Sequence, residues 1–128
     1  LFDFYKKEIK LLNLKNIQLL GYVNDKDIID YYATCDMVLM PAEYAEGFGL
    51  PIIEGYLFNK PVIASNRCAI PEVIISDEFL FENKVDSIIR KIDLANEKQN
   101  KPYKNHYKNN FSNQHILSQF NALYKSLM

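Results

Sequence analysis

Cysteine is scarce in this chain. Cys35 and Cys68 are its only two, far apart, with no CxxC pair and no clustered histidines. That excludes a disulfide scaffold and a zinc site, and it fits a reducing cytoplasm. Long apolar runs are missing too: no stretch nears the roughly 20 residues needed to span a bilayer. No secretory signal is visible at the amino end. An excess of one charge is also lacking, since 15 basic residues face 16 acidic ones. That balance gives no electrostatic footprint for nucleic acid. Only four glycines occur, and two of them, Gly47 and Gly49, stand together between Glu46 and Glu54.

What is present is a globular composition, 48% hydrophobic over 128 residues, enough for one domain with one core. The chain begins with Leu1 and opens mid-pattern, as expected of a fragment of a longer protein. Apolar spacing predicts a helix within Leu1–Leu14 and a strand at Ile17–Leu20. A helix follows to about Thr34, capped by Asn24 or Asp25, with Ile28, Ile29 and Tyr32 turned inward. Strands are expected at Met37–Met40, Val62–Ala64 and Phe79–Phe81. Helices are expected at Leu50–Phe58, after Pro71, at Val85–Glu97 and at Ser112–Leu127, with Pro51 in a first turn and Ser112 as an N-cap. Lys101–Asn110 is ambiguous between loop and short helix. Short apolar strands alternating with helices predict an α/β class, a Rossmann-like doubly wound parallel sheet in a single domain of residues 1–128.

In such a sheet, ligands bind beyond the carboxyl ends of the strands. The loops that follow are GYVND, PAEYAEGFG and SNRCAIPE. The middle one is the richest in chemistry. Gly47 and Gly49 let a ligand approach the main chain. The helix from Leu50 offers unpaired N–H groups and a positive dipole end, a cradle for phosphate. Glu46 before it and Glu54 within it can accept hydrogen bonds from hydroxyls. Hydroxyl, phosphate and hydroxyl recognition in series matches a nucleotide-sugar.

EGFGLPIIE, with its glutamates eight apart, resembles the E-x7-E signature of the retaining glycosyltransferases of family 4, glycosyl transferases group 1. NIQLLGYVNDKDIIDYYATCDMVLMPA and KPVIASNRCAIPEVI are similar to the stretches on either side of it. FLFENKVDSIIRKI and FSNQHILSQFNALYKSLM are similar to the closing helices. The resemblance implies the C-terminal, donor-binding half of a GT-B fold. It implies that Glu46 meets the transferred sugar and Glu54 the ribose. The amides of Phe48, Gly49 and Leu50 would meet the phosphates, Tyr22 and Val23 would lie near the base, and Ser65 and Asn66 would line the rim. It implies no metal and no cofactor.

That family usually opens this domain with a strand, an Arg- and Lys-bearing segment and a second strand, none of which precedes Leu1. The expected protein is the donor half of a hexosyltransferase, without its first strands. Its partners are a UDP- or GDP-sugar and, through an N-terminal domain, a glycan or lipid-linked acceptor. Polysaccharide biosynthesis at the cytoplasmic face of a membrane is the expected setting. The rival is a non-catalytic nucleotide-sugar-binding module or subunit that needs a partner chain. A sugar-nucleotide epimerase or a phosphorylase of similar architecture is a further enzyme alternative, and no lysine stands out for the pyridoxal site of the latter.

Other features have plainer readings. The third glycine of a dinucleotide fingerprint is replaced by Ile52, and no GK[ST] follows. Asp25-Lys26-Asp27 spells DxD but sits at a helix start, where caps and acidic residues belong. His106 and His115 are expected in solvent, and Arg67 at the surface, the alternative for Arg67 being a phosphate contact on the rim. The basic residues between 84 and 110, interleaved with Tyr103 and Tyr107, are expected to form a solvated helix face, the alternative being a membrane-surface patch.

Overall fold

The computed structural model describes residues 1–128. It divides into two compact units, Leu1–Tyr31 and Tyr32–Met128.

The first unit begins with helix α1, Phe2–Leu11, which turns out of its helical path at Asn13 in the left-handed region. Gly21, also left-handed at φ 69°, lies close to Phe2, whose ring would be 3.5 Å from an added Cβ. Helix α2, Asp25–Thr34, begins here and ends in the second unit. Asn24 caps it, its Oδ1 accepting from the amides of Lys26 and Asp27 at 3.0 Å each. The expected strand at Ile17–Leu20 is not formed. The run is apolar enough, but a strand is defined by a ladder partner, and no strand pairs with it. Ile28 and Ile29 are not inward-facing either, being 39% and 50% exposed.

The second unit holds a three-stranded parallel sheet in the order β1-β2-β3. Its strands are β1 (Val38–Met40), β2 (Val62–Ser65) and β3 (Leu80–Phe81). Val38 pairs with Val62, Met40 with Ala64, and Ala64 in turn with Leu80. Every residue of β2 is buried, as a central strand covered on both faces requires. Between β1 and β2 runs α3, Leu50–Leu57, with Pro51 in its first turn, where a missing N–H is harmless. It packs on β1, on β2 and on α6, Tyr103–Asn110. Gly55 is where α3 meets the sheet. A Cβ there would lie 2.6 Å from Val62 Cγ2 and 3.1 Å from Val38 Cγ2, so the side chain is absent because there is no room for it.

After β2 come the short α4, Ile70–Val73, and a 3₁₀ turn, Asp77–Phe79, that leads into β3. Phe79 belongs to that turn rather than to a strand. Helix α5, Val85–Glu97, lays Ile88, Ile92 and Ala95 onto the core beside β2 and β3. Helix α7, Asn113–Ser126, is capped by Ser112, whose Oγ accepts from the His115 amide at 3.3 Å. No helix is long and apolar enough to cross a membrane.

The polar stretch before α7 is more structural than its composition suggests. Tyr103 is fully buried and stacks on Tyr56 at 5.8 Å. His106 is not solvated but stands edge-on to Tyr56 and Phe111, at 5.4 and 5.6 Å. Lys98 and Lys101 both pair with the Glu78 carboxylate, and Lys91 donates to the Glu78 carbonyl. Those hydrogen bonds, Lys101's first and then Lys98's, hold the Glu78 carboxyl below its ordinary range. Part of the basic run is thus turned onto one carboxylate rather than spread as a free patch.

Candidate functional site

Parallel pairing makes the loops after β1, β2 and β3 leave the sheet at its carboxyl end. Hydrogen bonds join them there. The Ala69 amide donates to the Glu46 carbonyl at 3.5 Å, linking the second loop to the first. Asn83, in the third loop, donates through Nδ2 to the Ala42 carbonyl at 3.0 Å and accepts from the Ser65 hydroxyl at 2.8 Å. Ser65 is thereby buried and satisfied, a structural pin as much as a rim residue. Asn66 is exposed beside it and donates its amide to the Phe81 carbonyl. A cleft of about 280 Å³ includes Asn66 but is lined by Asp77 and Glu82 as well, poor company for a diphosphate.

The loop from Glu46 to α3 has the shape of an anion cradle. Gly49 is the N-cap of α3 at φ 89°, ψ 54°, a left-handed conformation that costs a side-chain-bearing residue energy. An added Cβ there would also meet Ile52 Cδ1 at 2.9 Å. At Gly47 it would meet nothing within 4 Å, so the backbone there is open to an approaching group. The bend turns consecutive amides to one side. Two of them are engaged: Glu46 Oε1 accepts from Phe48 N at 3.2 Å and from Gly49 N at 3.0 Å. The carboxylate of the chain itself therefore sits on two of the three amides expected to meet phosphate. The third, Leu50 N–H, is the first of α3, followed by Pro51, which has no N–H, and by Ile52, which donates to the Gly49 carbonyl at 2.9 Å.

Glu54 lies farther along α3, a rise of roughly 7–8 Å from Gly49. It is half-buried, and its Oε2 accepts from the Tyr32 hydroxyl at 2.7 Å. Burial first, then the hydrogen bond that the phenol donates to Glu54, push the Tyr32 phenol far above its ordinary range. Phe48, between the two glycines, touches the ring of Phe111 edge-on at 6.1 Å. The structure thus joins Glu46, Phe48 and Gly49 directly and places Gly47, Leu50 and Glu54 on the same loop and helix. Tyr22, 93% exposed, and the half-buried Val23 belong to the Leu1–Tyr31 unit. Tyr32, Asn83 and Phe111 are participants that sequence reasoning did not assign. Their partners are 22, 41 and 63 positions away, and no local pattern signals such pairs.

Comparison with known proteins bears on the family and the fold. The description "Glycosyl transferases group 1" matches residues 1–113. The chain is 41% identical over 73 residues to O-antigen chain mannosyltransferase B of Escherichia coli, covering 56% of this chain and 19% of that protein. It is 32% identical over 72 residues to the serotype-specific mannosyltransferase WbdA of Escherichia coli, covering 56% of this chain and 9% of that one. It therefore spans less than a fifth of these relatives. Among solved structures, a glycosyltransferase from Rickettsia africae ESF-5 superposes with a TM-score of 0.79 at 32% identity, over 97% of this chain and 35% of that one. The C-terminal domain of a glycosyl transferase group 1 family protein from Francisella tularensis gives 0.64 at 32% identity, over 83% and 60%. The fold is that of a GT-B glycosyltransferase C-terminal domain, and by the match across residues 1–113 this chain belongs to the glycosyl transferases group 1.

Proposed function

We propose that this chain is the donor-binding domain of a retaining glycosyltransferase that moves a sugar from a nucleotide-sugar to a glycan or lipid-linked acceptor. The observation that carries this is the pair Glu46 and Glu54 bracketing a left-handed Gly49 at the start of α3. Two carboxylates suited to hydroxyls flank amides suited to a diphosphate. The relatives named for mannosyl transfer make a GDP-linked mannosyl donor the first to try.

In this reading the donor diphosphate competes with Glu46 for the amides of Phe48 and Gly49. A phosphate that wins them releases the Glu46 carboxylate toward the sugar hydroxyls. Binding and the arming of Glu46 then become one event. The helix end and loop amides would stabilise the leaving diphosphate as negative charge develops on it. In this reading the acceptor is bound by a second, acceptor-binding half, and the full reaction needs both.

The test is turnover of the protein joined to its acceptor-binding half. Glu46→Ala is expected to lower kcat by about 10²-fold, the scale of a lost electrostatic contact in a transition state, while donor KM changes much less. Unchanged turnover would remove Glu46 from the reaction and with it this assignment.

A further inference from the structure

We propose that Tyr32 is a positioning residue for the donor site, its hydroxyl holding the Glu54 carboxylate in the orientation that receives the ribose hydroxyls. The inference rests on the donor reading above and extends it to a residue outside the E-x7-E segment.

Glu54 and Phe58 are four apart, at the end of α3, so they lie one above the other on one helix face. Tyr32 spans both. Its ring stacks on Phe58, with centroids 5.8 Å apart and planes at 11°, and its hydroxyl donates to Glu54 Oε2 at 2.7 Å. The stack fixes the ring, the ring fixes the hydroxyl, and the hydroxyl fixes the carboxylate. A carboxylate offers about four acceptor positions on two oxygens. Tyr32 takes one on Oε2 and leaves Oε1 unengaged for a ligand, with the rotamer already selected. A long side chain ordered before binding does not lose that freedom on binding, which strengthens affinity without a new contact.

Packing alone does not explain the hydroxyl. A phenylalanine would stack on Phe58 equally well and would not have to bring a phenol into a desolvated position. Tyr32 spends its one donor on the one carboxylate of α3.

The experiment is calorimetric titration of the chain with GDP, with UDP, with 2′,3′-dideoxy-GDP and with inorganic diphosphate, in wild type, Tyr32→Phe, Glu54→Gln and the double variant. Tyr32→Phe keeps the ring and removes only the donor. It is expected to weaken GDP about tenfold, the scale of one hydrogen bond to a charged group. It should leave inorganic diphosphate unchanged, lose its effect on the dideoxy compound, and add nothing in the Glu54→Gln background. Equal weakening of inorganic diphosphate would make the effect a general loosening of the fold and overturn the proposal. If wild type and Tyr32→Phe bind GDP equally, Tyr32 has no positioning role and the donor reading stands. A wild type that binds neither GDP nor UDP overturns both.

Discussion

Residues 1–31 and residues 32–128 use the same alphabet of apolar side chains and bury them very differently. Not one residue of the first unit is buried, whereas the second contains the whole core, from Met40 to Tyr103. In α2, Ile28 and Ile29 keep the spacing of an inward face yet stay in solvent. In α5, Ile88 and Ile92, one turn apart, pack onto the core. Amphipathic period states which side of a helix would be covered. It does not state that anything covers it, and only the second unit has a sheet to do so.

The sharpest way to break this contrast is a matched pair of truncations. Phe79 is fully buried, set edge-on to Tyr103 with Lys101 over its ring at 5.1 Å. Phe79→Ala is expected to cost about 3–5 kcal/mol, from lost transfer energy and the cavity left behind. Ile29→Ala, half in solvent, should stay within about 0.5 kcal/mol. Urea unfolding of both variants measures the difference. If Ile29→Ala cost as much as Phe79→Ala, the first unit would have a core after all.

A smaller effect probes the contact between helix and sheet. Gly55→Ala adds one methyl where Val62 and Val38 already stand. Neither valine has a flexible end that can swing aside, so α3 must lift. Overpacking of this kind costs about 1–3 kcal/mol. Because α3 also carries Glu54, the shift should reach the ligand-facing side, and the variant should weaken nucleotide binding along with stability. A variant as stable as wild type would mean that the close approach at Gly55 is not real.

Much of this second unit was legible in the residues themselves. The α5 boundaries follow from Val85–Glu97 periodicity, and Pro51 and Ser112 mark helix starts by their own chemistry. The α/β class follows from short apolar runs separated by helices. What failed was relational. Ile17–Leu20 has strand composition but no neighbour to pair with. Tyr103 and His106 stand in a stretch of lysines and asparagines, and only the packing of α6 on α3 turns them inward. Of the candidate site, the sequence exposes the stretch 46–54, where the chemistry lies within one loop and one helix. It conceals Glu46's hold on the amides, Tyr32's on Glu54 and Asn83's on two loops, since each depends on how the chain returns to itself.

The least of these expected effects follows from His106, which composition places in solvent and the fold does not. Its Nε2 is buried without a standard hydrogen bond, between the rings of Tyr56 and Phe111. Burial lowers its pKa below the usual 6.5, and the Val73 backbone opposes this in part. The unfolded chain therefore takes up this proton at higher pH than the folded one. Stability should be full above about pH 7, fall as the pH drops through the unfolded value, and level off below the folded value. The slope cannot exceed about 1.4 kcal/mol per pH unit for one proton, and partial exposure of the ring makes it less. Glu78 also loses its stabilising charge in acid, but in the carboxylate range, so the two windows separate. Urea midpoints of wild type and His106→Gln between about pH 7 and pH 5 should converge as the pH falls, because only the wild type carries this proton penalty. Parallel curves would place the imidazole in water, and the polar stretch before α7 would be as solvated as its composition suggests.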